Sequence, residues 1–268
     1  MSIGCKLFYF VKSTKNLSNL NRLSAKIEAK DVEIDFPVYS ETSRSLSRQL
    51  VGKFRNRVEQ RSGRTIVHAL RGINICIHEG ERVGLLGPNG AGKSTLLRVF
   101  SLIYPPSSGK IEVTGKISSL LNISLGVEPE LTGRENLMIR GIMLGLTSGE
   151  TQKLLPGVIS FADLEEFIDL PVRTYSDGMK LRLLFSMATA TNSDILLMDE
   201  WLSAGDKSFH NKAAERMQAM VEKAGILVLA SHSVGLLKKT CTRGILLQKG
   251  EVLLDGPIDE VCEFYKDQ

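Results

Sequence analysis

Cysteine is scarce and scattered. Cys5, Cys76, Cys241 and Cys262 form no CxxC pair and have no histidine at a zinc-ligand spacing, which excludes a disulfide framework and a zinc module. They read as reduced thiols of a cytosolic compartment. Long apolar runs are missing as well: no stretch approaches the ~20 residues of a spanning helix, and Leu7 to Val11 is too short for a secretory core. Membrane attachment would have to come through a partner or a surface. Excess charge is small, with 34 Lys+Arg against 30 Asp+Glu, so nucleic-acid binding does not follow from the total. Internal repeats, low-complexity tracts and sustained heptads are absent. What remains is 268 residues at 43% hydrophobic content, enough for a substantial core and one domain with a smaller lobe.

The most specific element is Gly87 Pro88 Asn89 Gly90 Ala91 Gly92 Lys93 Ser94, a GxxxxGK[ST] phosphate loop. Its glycines let successive backbone N–H groups curl around phosphate oxygens, and the helix that follows, from Thr95 to Phe100, offers its positive N-terminus. Lys93 would reach the β- and γ-phosphates and Ser94 would give a hydroxyl to Mg²⁺. Three apolar runs each end on polar chemistry: Val83 to Leu86 before the loop, Ile195 to Met198 before Asp199 Glu200, and Ile226 to Ala230 before Ser231 His232. As strands of a parallel sheet they would converge on one carboxyl edge, where α/β folds bind ligands. There Asp199 would hold Mg²⁺ and Glu200 would orient or deprotonate an attacking water. His232 is either a γ-phosphate or water contact or an ordinary histidine at a strand end.

A second turn, Tyr175 Ser176 Asp177 Gly178 Met179, precedes a segment whose Leu181, Leu184, Phe185 and Ala188 share a helical face. Ser176 and Gly178 then sit at a helix N-terminus, suited to a γ-phosphate, with a plain N-cap as the alternative for the serine.

Phosphate loop, Ser-x-Gly turn, Asp199 Glu200 run and His232 occur in the order found in ATP-binding subunits of ABC transporters, and the resemblance covers roughly residues 30 to 265. It implies an α/β fold: a P-loop NTPase core with a mainly parallel central sheet, an antiparallel β lobe and a helical lobe at about 132–191. It also implies a head-to-tail homodimer with ATP and Mg²⁺ at each interface, the signature Ser176 and Gly178 of one copy closing over the loop of the other. Asp206, in Ser203 Ala204 Gly205 Asp206, matches the aspartate of the loop that meets the partner copy. Leu131 Thr132 Gly133 Arg134 Glu135 Asn136 and the Tyr175 Ser176 pair resemble the branch that exports lipid-linked polysaccharides such as O-antigen, capsule or teichoic acid. That implies two copies of a separate transmembrane permease and a peripheral place on the cytoplasmic face of the inner membrane. Thr132 and Glu135 also form a capping box that would open a helix whatever the function.

Other positions follow less directly. Residues 1–30 are mixed in polarity and read as an extension, with the ATPase unit at 31–268 beginning on a strand, Val32 to Phe36. Tyr39 falls where the family places an adenine-stacking aromatic, or is a core or edge aromatic. Asn122 stands near the family's coupling glutamine, as a Mg²⁺ or water contact or as a turn residue. Leu46, Leu50, Val51, Phe54 and Val58 mark a helical stripe amid arginines, a basic helix over 45–58 that either packs on its own domain or meets anionic lipid or the pyrophosphate of a lipid-linked glycan. Asp163 with Glu166 reads as a further helix start. Gly244 to Gln248 and Glu251 to Gly256 read as two strands around Lys249 Gly250, and Ile258 to Lys266 as a closing helix.

These readings converge on an ATPase that drives lipid-linked glycan export. A soluble ABC-type ATPase moving a non-membrane partner is the alternative. A P-loop kinase or GTPase would leave Ser176 to Gly178 without a role and lacks an NKxD guanine-reading motif.

Overall fold

The computed structural model describes residues 24–38, 58–61, 64–121, 126–200 and 207–267. Two sheets make the body. The antiparallel sheet runs β2-β3-β1-β5, from β1 (Lys26–Val38), β2 (Val58–Arg61), β3 (Arg64–His78) and β5 (Ser108–Thr114). The second sheet is β10-β9-β4-β8-β7-β6. In it β4 (Arg82–Leu86), β6 (Ile117–Leu120), β7 (Ile195–Asp199), β8 (Ile226–Ala230) and β9 (Arg243–Gln248) are parallel, and β10 (Glu251–Pro257) returns antiparallel along β9.

The strands β4, β7 and β8 are almost unbroken Val, Ile, Leu and Met because both of their faces are covered. On one face α1 (Lys93–Phe100) packs between the sheets, where Ile27, Ile73, Val83, Leu97 and Phe100 share a core. The other face carries α5 (Lys207–Lys223), α6 (Val234–Thr240) and α7 (Ile258–Lys266), around Leu196, Phe209, Leu229 and Val261. A third core, with Leu137, Leu155, Ile168, Tyr175 and Leu183, belongs to a helical lobe of α2 (Gly133–Met143), α3 (Ser148–Ala162) and α4 (Asp177–Ala188). Capping boxes open α2 at Thr132 and Glu135 and α3 at Thr147 and Glu150.

Three expectations change. The folded unit reaches back before Asp31: β1 starts at Lys26, and Ala25, Ile27 and Ala29 are buried. Lys30 and Asp31 are not a boundary but an irregularity inside one strand, with Asp31 at φ 47° and its carboxylate accepting from Asn74 Nδ2 at 2.7 Å. Val58 opens β2, opposite Val67, instead of closing a helix, and Arg61 pairs with Arg64 in the same antiparallel ladder. The rest of the expected basic helix, like Tyr39, Asn122, Asp206 and residues 1–23, lies outside the described residues. Asp163 ends α3 in a left-handed conformation (φ 53°, ψ 50°) rather than starting a helix, and Lys212 Nζ donates to its carboxylate at 2.8 Å.

No helix among the described residues is long and apolar enough to cross a membrane. Cys76, Cys241 and Cys262 are free thiols, and burial pushes that of Cys241 up to about 12.

The sheets are joined at Arg243. Its guanidinium donates to both carboxylate oxygens of Asp255 at 2.7 Å, to Glu81 Oε1 at 2.9 Å and to the Cys76 carbonyl at 2.9 Å, tying β9 and β10 to the β3–β4 turn and to β3. The Asp255 carboxylate, with Glu81, holds the guanidinium charged by raising its pKa. Arg243→Ala is expected to cost about 2–4 kcal/mol, less than a fully buried pair because the side chain keeps some solvent contact, as read by urea unfolding.

Candidate functional site

The edge where β4, β7 and β8 end carries the chemistry. Leaving β4, the chain bends at Gly87 (φ 138°), Gly90 (φ 77°) and Gly92 (φ 115°), backbone that side chains rarely adopt. Space restricts two of them further: a Cβ at Gly87 would fall 2.2 Å from the Leu247 carbonyl oxygen, and one at Gly92 would fall 2.9 Å from Leu70 Cδ2. Gly92 is also the N-cap of α1 and brings no side-chain acceptor, so the first-turn N–H groups of Lys93, Ser94 and Thr95 precede any intrahelical partner. That is an anion cradle. Lys93 is buried, its Nζ donating to the carbonyls of Gly87 at 2.6 Å and Pro88 at 3.2 Å. Burial lowers its pKa while Asp199 and Glu200 work the other way.

β7 delivers Asp199, and Glu200 follows in a left-handed conformation (φ 69°) with its N–H on the Ala230 carbonyl at 2.8 Å. Holding a glutamate there costs about 1–3 kcal/mol, which the surrounding bonds must offset. Two of them come from the end of β8: Ser231 Oγ donates to Glu200 Oε2 at 3.1 Å and His232 N donates to Oε1 at 3.0 Å. His232 Nε2 stands 4.0 Å from the same Oε1.

Between these parts lies a cavity of about 280 Å³, walled by Asn89 to Thr95, by Asp199, Glu200 and His232, and by Val67 and Ala69. The donor set fits a triphosphate: the Lys93 ammonium and the first-turn N–H groups of α1 on one side, carboxylates on the other. Hydroxyl and carboxylate oxygens at the same cavity are also the ligand type that Mg²⁺ takes together with phosphates. Ser94 and Asp199 offer the oxygen ligands and the phosphates would complete them.

Ser176 caps α4, its Oγ accepting from Met179 N at 3.2 Å. Neither Ser176 nor Gly178 lines the cavity. Asp177 points fully into solvent, 3.7 Å from Lys180 Nζ, so its charge faces outward from the helix start. Val67 and Ala69 were missed by the sequence reading because β3 was not read as a strand. The signal was there in the alternation of Ile73, Ile75 and Ile77 with Asn74, Cys76 and His78.

A family model described as ABC transporter matches residues 70–203. The chain is 41% identical over 223 residues to the O-antigen export system ATP-binding protein of Yersinia enterocolitica, covering 82% of this chain and 93% of that one. It is 40% identical over 229 residues to the protein of the same description from Myxococcus xanthus, covering 85% of this chain and 51% of that one. It is also 40% identical over 199 residues to the teichoic acids export ATP-binding protein of Listeria monocytogenes, covering 74% and 59%. It therefore spans about half the length of the Myxococcus relative and little more of the Listeria one. Among solved structures, a dimeric ATP-binding cassette bound to ADP and Pi superposes with a TM-score of 0.62 at 23% identity, covering 87% of this chain and 98% of that one.

Gly87→Ala is expected to push the loop off the Leu247 carbonyl at a cost of about 2–4 kcal/mol. Affinity for a fluorescent Mg·ATP analogue should fall by roughly tenfold or more, measured by titration.

Proposed function

Because this chain belongs to the ABC transporter family, we propose that it is the ATP-hydrolysing subunit of an exporter that moves a lipid-linked polysaccharide across the inner membrane. The observation that carries the reading is a division within the chain: loop, carboxylates and histidine share one cavity, while the Ser176 helix start does not line it. A second copy, set head to tail, would supply that missing half. Export of O-antigen or teichoic acid is what the names of its relatives state, and the glycan is taken from them.

On this reading Lys93 and the loop N–H groups bind the phosphates, and Ser94 and Asp199 hold Mg²⁺, which neutralises phosphate charge when bound. Glu200, aimed by Ser231 and the His232 backbone, orients or deprotonates the water, and His232 contacts the γ-phosphate or that water. Ser176 and Gly178 of the other copy close the site, with Asp206 at the contact between copies. Tyr39 stacks on adenine and Asn122 serves as the metal or water contact that senses the permease. Two permease chains and a peripheral position on the cytoplasmic face complete the assembly.

Replacing Glu200 with Gln removes the base and keeps the shape. Turnover should drop about a hundredfold or more while ATP still binds, and light scattering should find a Mg·ATP-dependent dimer. Wild-type turnover in that variant would exclude Glu200 from the role, and a monomer at saturating Mg·ATP would exclude the shared site.

The arginines of the 45–58 region would meet the lipid pyrophosphate of the cargo. Neutralising Arg55 and Arg57 together should then reduce export in cells without reducing basal ATP hydrolysis; equal loss of both would count against this contact.

A further inference from the structure

The Thr132 to Asn136 motif and Tyr175 stand far apart in sequence and meet in space. The Asn136 side chain is buried, its Oδ1 accepting from Glu128 N at 2.8 Å and its Nδ2 donating to the carbonyls of Glu128 and Thr132 at 3.0 and 2.9 Å. That fixes the loop of residues 128–132. A second loop, 167–176, is strapped to the first: Val172 N donates to the Leu131 carbonyl at 2.9 Å, Arg173 N to that of Pro129 at 2.8 Å, and Arg134 N to that of Ile168 at 2.9 Å. The Arg134 guanidinium grips both Asp169 oxygens at 2.7 and 3.0 Å.

Tyr175 closes the strap. Its ring is buried and its hydroxyl donates to the Phe167 carbonyl at 2.6 Å. The hydroxyl lies so close to the first turn of α2 that a Cβ on Gly133 would fall 2.5 Å from it. The next residue is Ser176, the cap of α4, so the place of the signature serine is set by how Tyr175 sits against Gly133 and Phe167.

We propose that Tyr175 and Gly133 form a positioning lock that fixes the Ser176 helix start for its contact with the nucleotide of a second copy. The lock acts on that contact and not on the cavity of its own chain, to which neither residue belongs. This inference rests on the pairing of two copies proposed above. It accounts for two local choices together: a tyrosine ahead of the serine, and a glycine at the first position of α2, where a better helix former would stand if space allowed.

The test uses the full chain carrying Glu200→Gln as reference. Adding Tyr175→Phe keeps the ring and removes the hydroxyl. The dissociation constant of the Mg·ATP dimer should rise roughly fivefold, the size of one net hydrogen bond, while fluorescent ATP binding to the dilute monomer stays unchanged. Gly133→Ala should weaken the dimer further, and the double variant Gly133→Ala/Tyr175→Phe should recover part of that loss, because the atom the new methyl meets is gone. A lowered melting temperature with an unchanged dimer constant would reduce Tyr175 to a purely structural residue and overturn the lock. Strictly additive effects in the double variant would overturn the pairing with Gly133. A reference that stays monomeric overturns the two-copy reading first, and leaves the lock no contact to position.

Discussion

The register of three parallel strands governs the molecule. Leu85 of β4 and Asp199 of β7 both lie opposite Ala230 of β8, so the chain after each strand emerges at one level of the sheet. Gly87, Glu200 and Ser231 therefore follow their strands at one edge of the sheet although they lie far apart in sequence. Shifting one strand by one residue would exchange the side chains between its two packed faces and carry its end off the level of the other two, so the apolar packing that sets register also sets the site. The Glu200 N–H on the Ala230 carbonyl extends this pairing one residue past the strand, into the site itself.

That dependence explains what could be read from residues alone. Val83 to Leu86, Ile195 to Met198 and Ile226 to Ala230 are legible as strands because burial on both faces leaves them continuous, and each ends in chemistry. The phosphate loop is legible because few sequences satisfy its geometry. β3 escaped notice: a sheet with one half-solvated face alternates, and its polar positions, Asn74, Cys76 and His78, break the run. The boundary at Asp31 misled because the polar positions of Lys26 to Lys30 read as part of a mixed extension, although they alternate with the buried Ile27 and Ala29 of β1. Asp163 carries the letters of a helix start yet serves as a left-handed stop, a role open to Asp as well as to Asn and Gly. The separation of Ser176 from the cavity is a fact of tertiary structure, and no local pattern reports it.

The helical lobe has its own core, but it is not independent of the sheet. Phe161 of α3, Phe185 of α4 and Phe209 of α5 form a mutual cluster with centroids 5.7–6.2 Å apart, and Arg216 lies over the Phe161 ring at 4.2 Å. α5 follows the segment after Glu200, so the cluster links α3 and α4 of the lobe to the helix layer on the sheet. Lys212 on Asp163 adds a second tie between α5 and the end of α3.

Glu200 shows how such ties bear on chemistry. Its backbone is strained, its N–H is held by β8, and its carboxylate accepts from two donors that are also at the end of β8. Glu200 directly follows β7, whose position is fixed by the core, and among the described residues the donors to its carboxylate stand at the end of β8. Glu200 is therefore set by the sheet, while the Ser176 helix start is set by the lobe. On the two-copy reading proposed above, halves built on separate cores would stay idle until a second chain brought the lobe of one against the sheet of the other. In that arrangement the timing of hydrolysis is controlled by assembly and not by any change in the base itself.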